Sequence, residues 1–541
     1  MLIPIPNIWL ISGASVGFYV LLKAYPFFHR EFNSTLRSLP GLSSWNVFTG
    51  NIKQLILTDQ TKSHTECIKA YGPTFKFKAI LGETWLFSAD VKAINHILKK
   101  DTVTWEKPIA MAYNLMRLLG PGRSSLAGNI HHLIYKVRRL NPAFASGEVK
   151  RFMPLFLDKA VKLKDIWSSQ IQQNDDQPTR IDMLSWLSRA TLDVIGEAGF
   201  GYEFNSLTED PGNLNELHEA FKVLFEVGNS ASLLQNLRGL IPFLRLLRLE
   251  RDADIETASE TMRRIGKQLL SERELAFDPH NEKAGARQND ILSLLVRANA
   301  SGEADQRIPA EQILAQIPTF MAAGHETTST ATTWALFELA KDSHMQQRLR
   351  EELLNVATQS PTVDELNALT YLDAVIRETM RLHSPVPMTI RLATEDDVLP
   401  LQTPVVDKFG KLHHEIRILK GQGVLIPFDA VNRLSSIWGD DAERFNPDRW
   451  NSPPEAAMSV PGIWGNLMTF SAGPRACIGF RFSLIECDET LLFTLVRAFE
   501  FNLAVPPEDI GKMSEIVMRP VLKTDPVNSN QLPLLVRPVI L

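Results

Sequence analysis

The sequence predicts a mainly helical fold with small β-sheets. Three observations carry this. Apolar residues recur at helical spacing over nine segments, strand-like alternation is confined to four short stretches, and from about residue 50 no low-complexity tract or internal repeat divides the chain. The 541 residues are 44% apolar and 22% charged, an ordinary globular composition with enough chain to bury a large core unaided. Lys and Arg total 57 against 62 Asp and Glu, a net charge of −5, which argues against nucleic acid as the main partner. Three cysteines, Cys67, Cys477 and Cys487, cannot build a disulfide framework, an all-cysteine zinc site or a standard iron–sulfur cluster. What remains open is whether one of them is a reactive or ligating thiolate.

Leu2 to Leu22 carries no charged side chain, and the run approaches the roughly 20 apolar residues that span a bilayer. Pro4, Pro6, Asn7, Ser12, Gly13, Ser15 and Gly17 dilute it. A cleaved signal peptide is disfavoured, because no basic residue precedes the run and no small-x-small site follows it. Lys23, Arg30 and Arg37 just after it keep the C-terminal side in the cytosol. The chain is therefore read as one N-terminal transmembrane helix within an anchor over 1–23, a Pro/Gly hinge over 24–50 and one large unit over 51–541. Helices are expected at Phe152–Gln172, Ile181–Gly199, Asn213–Glu226, Ile255–Phe277, Gln288–Ala298, Pro309–Lys341, Met345–Gln359, Tyr371–Leu382 and Arg481–Phe499. Strands are expected at Thr74–Ala79, Thr84–Ser88, Val424–Pro427 and Leu532–Val536.

Pro309–Lys341 stands out. Its 33 residues would run about 50 Å and are apolar almost all round at the centre, so the helix should be buried. That centre holds Ala323-Gly324-His325-Glu326-Thr327-Thr328. An acid and hydroxyls are costly to bury without partners, and Gly costs about 1 kcal/mol relative to Ala in a helix interior. Either Thr back-bonding stabilises a kink here, or a widened groove faces a ligand. The segment also looks like the zinc-protease H-E-x-x-H, but Ser329 stands where the second histidine is needed, so that reading is rejected.

Phe470-Ser471-Ala472-Gly473-Pro474-Arg475-Ala476-Cys477-Ile478-Gly479 places a cysteine in a loop that opens a helix. Gly473-Pro474 favours a turn, Gly479 permits close approach of a flat partner or backbone, and the helix start favours a thiolate. The alternative is a buried free cysteine, the reading given to Cys67 and Cys487. The decapeptide resembles the haem-binding signature F-x-x-G-x-R-x-C-x-G of the cytochrome P-450 superfamily at every fixed position. The resemblance implies the cytochrome P-450 fold and haem b (iron protoporphyrin IX), with Cys477 as axial iron ligand. A thiolate there donates electron density that favours O–O cleavage. Phe470 would pack beside it, Arg475 would pair with a propionate, and N–H groups near Gly479 would tune the sulfur.

Other motifs follow in family order. Ala323, Gly324, Glu326, Thr327 and Thr328 match [AG]-G-x-[DE]-T-[TS]. The resemblance implies that Gly324 opens space for dioxygen and that Glu326 and Thr327 deliver protons. Glu-Thr-Met-Arg occurs twice. The copy at Glu378–Arg381 is similar to the family's E-x-x-R because Leu382-His383-Ser384-Pro385 follows it, whereas Glu260–Arg263 is taken as a solvated face. Phe445-Asn446-Pro447-Asp448-Arg449-Trp450 resembles F-x-P-E-R-F, so Arg449 would complete a buried network with Glu378 and Arg381. Near residue 130 the pattern departs: the expected arginine falls on Val137, and His131, His132 or Arg138 would substitute. Arg391 is placed as a second propionate partner. Pocket candidates by family position are the 107–120 loop, Phe320, Ala323, Val386, Met388 and Thr389.

The resemblance is to eukaryotic microsomal members, fungal ones among them. It implies a monooxygenase, of possible use in secondary metabolism, that inserts one atom of O2 into a lipophilic substrate such as a terpenoid or sterol. No dinucleotide or Walker motif is present, so NADPH would act only indirectly, through a membrane-bound NADPH–cytochrome P-450 reductase docking on basic residues of the cysteine side. The implied location is the endoplasmic reticulum membrane, single-pass, with the catalytic domain cytosolic. Leu233–Leu249, with Arg238, Arg245 and Arg248 interleaved, is either core packing or a membrane-dipping rim. Two rivals are kept: a haem-thiolate isomerase or dehydratase working without O2, and a non-catalytic haem-binding protein.

Overall fold

The computed structural model describes residues 25, 28–56, 59–100, 104–109, 111, 113, 141–208, 215–229, 238–239, 241–276, 290–300, 308–514 and 516–539. The anchor expected over 1–23 lies outside them. Among the described residues no helix is long and apolar enough to cross a membrane.

The described chain is mainly helical with small sheets. In order the longer helices are α1 (Gln60–Tyr71), α2 (Val91–Lys99), α3 (Met153–Gln172), α4 (Met183–Phe200), α5 (Glu216–Asn229), α6 (Asp252–Ala276), α7 (Ile291–Ala300), α8 (Gln316–Lys341), α9 (Ser343–Leu354) and α10 (Thr370–Leu382). Acidic caps start several of them: Asp90 accepts from Lys92 and Ala93 N–H, Asp182 from Leu184 N–H, and Asp342 from His344 and Met345 N–H.

The helix expected over Pro309–Lys341 divides into Ala310–Leu314 and α8. Pro318 has no N–H to give the Leu314 carbonyl, so the helical ladder breaks in the turn before it. The helix expected over Ile181–Gly199 starts later, because residues Thr179–Asp182 are drawn into a strand by the C-terminal segment. The last helix, α11, is composite: Phe480–Ser483, a π-helical stretch Leu484–Leu491, then Leu492–Ala498.

The largest sheet has five strands in the order β1 (Thr74–Lys78), β2 (Thr84–Ser88), β8 (Gly423–Pro427), β5 (Met388–Ala393), β3 (Trp105–Glu106). β1 pairs antiparallel with β2 in the register Thr74 to Ser88, and β2 pairs parallel with β8. A three-stranded sheet joins β4 (Thr179–Asp182), β12 (Pro533–Pro538) and β9 (Phe499–Leu503). Two hairpins, β6 (Asp397–Val406) with β7 (Leu412–Ile418) and β10 (Ile510–Ser514) with β11 (Met518–Leu522), complete the sheets. Residues 40–42 lie against β1, where Leu42 N–H donates to Lys76 C=O at 2.9 Å and Lys76 N–H to Pro40 C=O at 3.0 Å.

The core lies around α8, which buries Ile317, Met321, Trp334, Leu336 and Leu339. It crosses α4 closely. A Cβ on Gly324 would lie 2.9 Å from Cδ1 of Ile195, so the missing side chain is filled by α4. The close approach of α4 accounts for a glycine at this position.

Candidate functional site

The cysteine loop is two tight turns, Met468–Phe470 and Gly473–Arg475, joined through Ser471 and Gly473 at φ of 59° and 72°. Gly473 is required, since any Cβ there would strike the Leu98 carbonyl at the end of α2. Cys477 N–H donates to Phe470 C=O at 2.9 Å and closes the loop. Phe470 is buried between Trp464 and Phe480, at ring distances of 5.7 and 5.9 Å. Cys477 is a free, exposed thiol among buried Phe470, Ala472 and Phe482.

Dehydration pushes the Cys477 thiol pKa up to about 11, opposed by a hydrogen bond from Gly479 N–H. A cation bound at the sulfur would favour its thiolate form. Cys67 is buried and likewise raised.

The centre of α8 has an open face. Ala323 is exposed and Thr327, one turn on, is half-buried, whereas Glu326 and Thr328 are buried. Thr327 Oγ1 donates back to the Ala323 carbonyl, the back-bonding pattern of a helix-interior threonine. Thr328 Oγ1 lies 3.3 Å from Ser483 Oγ, and Ser483 N–H donates to Gly479 C=O at 2.9 Å. One residue of α11, Ser483, thus links the long helix to the cysteine loop. Glu326 ion-pairs with Arg519 of β11. His325 shares a 2.6 Å hydrogen bond with Ser188 of α4, and burial lowers its pKa to about 3, so it is neutral.

Phe320 is buried between Phe144 and Phe200, at ring distances of 5.5 and 6.5 Å. Val386 and Met388 are half-buried before and at the start of β5, and Thr389 is buried. Arg391 is buried in β5, its guanidinium donating to Thr389 Oγ1 and Ile390 C=O. Arg475 is half-buried in the cysteine loop. His131, His132 and Arg138 lie outside the described residues, as does most of the 107–120 loop.

Glu378 and Arg381 are fully buried and bidentate at 2.8 and 2.9 Å. Glu378 also accepts from Asn446 N–H at 2.8 Å and Trp450 Nε1 at 3.1 Å. Arg449 Nε lies 3.5 Å from Glu378, and its guanidinium donates to both carboxylate oxygens of Asp441, at 2.7 Å each, and to the Trp438 and Asp441 carbonyls, at 2.9 and 3.1 Å. Sequence reasoning missed Asp441, whose only signal was a Gly-Asp-Asp turn, and Arg519, which lies far from any motif. Arg263 of the other tetrapeptide is exposed and pairs with Glu311 at 2.7 Å rather than with Glu260.

These residues fit a haem. A porphyrin supplies four nitrogens to its iron, so one protein thiolate suffices, and Cys477 is of the ligand type this chemistry uses. A Cβ on Gly479 would meet only the Phe144 ring, at 3.8 Å. Packing within the protein does not demand that glycine, and space beside the sulfur is left for a flat group.

Residues 40–524 match the family described as Cytochrome P-450. Cytochrome P-450 monooxygenase 205 of Postia placenta is 43% identical over 539 residues, 98% of each chain. A ganoderic acid synthetase of Ganoderma lucidum is 34% identical over 528 residues, 92% of each. A cytochrome P-450 monooxygenase of Ampulloclitocybe clavipes is 33% identical over 507 residues, 93% of each. With its cysteine loop, long helix and Glu378–Arg381 pair inside the matched span, the chain belongs to the cytochrome P-450 family and is an enzyme of its monooxygenase class.

Proposed function

We propose that this enzyme inserts one oxygen atom from O2 into a lipophilic organic substrate, of terpenoid, sterol or similar class, in secondary metabolism, with electrons passed from NADPH by an NADPH–cytochrome P-450 reductase. The observation that carries the reading is Cys477, a free thiol in a closed turn, linked through Ser483 to the open centre of α8. Bound there, haem b supplies oxygen activation, helped by the electron density of its thiolate. Cys477 holds the group, Phe470 packs beside it and Gly479 N–H tunes the sulfur. Arg475 and Arg391 bind its carboxylates, with His131 or Arg138 as a further partner. Phe320, Ala323, Val386, Met388 and Thr389 orient the substrate and exclude water. Glu326 takes up protons and Thr327 Oγ1 hands them on. One relative's name, ganoderic acid synthetase, favours a lipophilic organic substrate here too.

Residues 1–23 form a single-pass anchor in the endoplasmic reticulum membrane, 24–50 the junction and 51–541 a cytosolic catalytic domain. Ile241, Phe243, Leu246 and Leu247 are exposed, and Arg245 folds back onto Arg238 and Gly239 carbonyls, which supports a membrane-dipping rim. The test is spectral. Reduced protein with carbon monoxide should show the red-shifted Soret band of sulfur-ligated haem, and Cys477→Ala should abolish it. An unchanged band in the variant refutes the assignment. A lipophile screen with and without reductase, read by product mass, then separates the monooxygenase from an isomerase or dehydratase.

A further inference from the structure

The acid of the long helix is not free. Glu326 is buried at the centre of α8, one residue before the open-face Thr327, and adjacent helix positions point about 100° apart. Its carboxylate meets the Arg519 guanidinium on β11. Arg519 is held in place from two sides. The preceding residue, Met518, accepts at its carbonyl from Trp334 Nε1 at 3.2 Å and donates its N–H to Pro385 C=O at 2.8 Å. Trp334 lies eight residues along the same helix from Glu326, about 12 Å at 1.5 Å per residue. The long helix thus grips the hairpin at two levels. The Arg519 side chain is 17% exposed and that of Glu326 5%.

We propose that Arg519 is a positioning residue for Glu326, whose ion pair keeps the buried carboxylate charged and available to take up a proton from water. The inference rests on the relay proposed above. A carboxylate dehydrated by burial holds its own proton unless a cation opposes it, and an acid that stays protonated cannot cycle. Burial lowers Arg519 to about 10, which leaves the guanidinium cationic at neutral pH. Reduction of O2 to peroxide consumes two electrons and two protons, and reduction to two waters consumes four of each, all electrons coming from NADPH. Faulty proton delivery is therefore read as peroxide released per NADPH.

The experiment uses full-length, haem-loaded protein with reductase, NADPH and O2 and no added organic ligand. The variants are Arg519→Gln, Arg519→Lys, Glu326→Gln and the Glu326→Gln/Arg519→Gln pair. Arg519→Gln should keep the carbon monoxide spectrum, reduce water formation about tenfold, less than the roughly hundredfold or more for outright loss of a positioned acid–base group, and change the solvent deuterium isotope effect. Arg519→Lys should restore part of both. In the Glu326→Gln background, Arg519→Gln should add no further loss. Thermal midpoints give a readout independent of turnover: each single neutralisation lowers the midpoint, and the double variant recovers part of the sum. Wild-type peroxide yield and isotope effect in Arg519→Gln, with Glu326→Gln defective, overturn the positioning role alone. A wild-type yield in Glu326→Gln overturns the relay and the positioning role together. Additive midpoints overturn the ion pair. Loss of the spectrum in Arg519→Gln, if Arg519→Lys does not recover it, overturns the role as well, since the arginine is then structural.

Discussion

Arg381 commits its fully buried guanidinium to five hydrogen bonds, two to Glu378 and one each to the carbonyls of Asn432, Ala442 and Arg444. Five is the number of N–H donors the group carries, so none is left unsatisfied. A buried pair of this kind is weak evidence for net stability, and its clearer effect is to pin three loop carbonyls to α10. The identical tetrapeptide at Glu260–Arg263 does nothing comparable, because exposed charges are screened and its arginine goes to Glu311. Thr327 raises a sharper question. Its hydroxyl proton is given to Ala323, which leaves its oxygen to accept. If it is only a helix-bending residue, Thr327→Ala leaves electron use unchanged. If it hands on protons, the variant releases peroxide and product per NADPH falls, by a factor on the order of ten or more. Peroxide and product assays on the same sample decide.

Among the elements, α8 shows what periodicity can and cannot reach. Its length and burial follow from the apolar pattern, while its break follows from Pro318, which could be read in advance only as a local disturbance. Gly324 was legible as an anomaly, but the atom it makes room for belongs to α4. Gly324→Ala should shift unfolding free energy by less than about 1 kcal/mol, because its helix-propensity gain offsets a mild push on a movable Ile195 methyl. Gly324→Val should cost about 1–3 kcal/mol by overpacking, and Ile195→Ala in the same chain should recover part of it. Urea melts of the variants check both. In α11 the π-helical stretch carries Thr490 Oγ1 donating to Ile485 C=O at 2.6 Å, five residues back. Nothing in the residue pattern distinguishes such a turn from an α-turn. The strands β3 to β7 and β9 to β11 were missed, since strand propensity depends on the neighbour rather than on the segment.

Across the molecule, one buried polar cluster ties α8, α10 and the C-terminal hairpin together. His383 stacks on Trp334 at 4.5 Å and bonds Glu338 at 2.8 Å, with Lys512 over the same indole. Burial and Lys512 hold His383 near 3 rather than its usual 6.5, so it is neutral. Glu338 is held near 2 rather than 4.5 by His383 and Lys341, which overcome its burial. Both folded values lie below the unfolded ones. The native state therefore refuses protons that the unfolded chain accepts, and stability present above pH 6.5 is lost as pH falls toward 3, with Glu338 contributing between 4.5 and 2. Urea midpoints followed by tryptophan fluorescence should fall over that window, and His383→Gln should flatten the decline between 6.5 and 4.5. An undiminished slope in the variant would place the acid sensitivity elsewhere.

Read unaided, the chain was enough for the helical class and the long central helix, and it singled out Cys477 and Glu378–Arg381. Each of these is written in near neighbours: period, turn residues and a contiguous motif. Folding alone settled that Gly324 packs against α4, that Asp441 takes Arg449 and that Arg519 meets Glu326. Those outcomes depend on which distant side chain arrives and on how much water leaves with it, and neither quantity has a local signature.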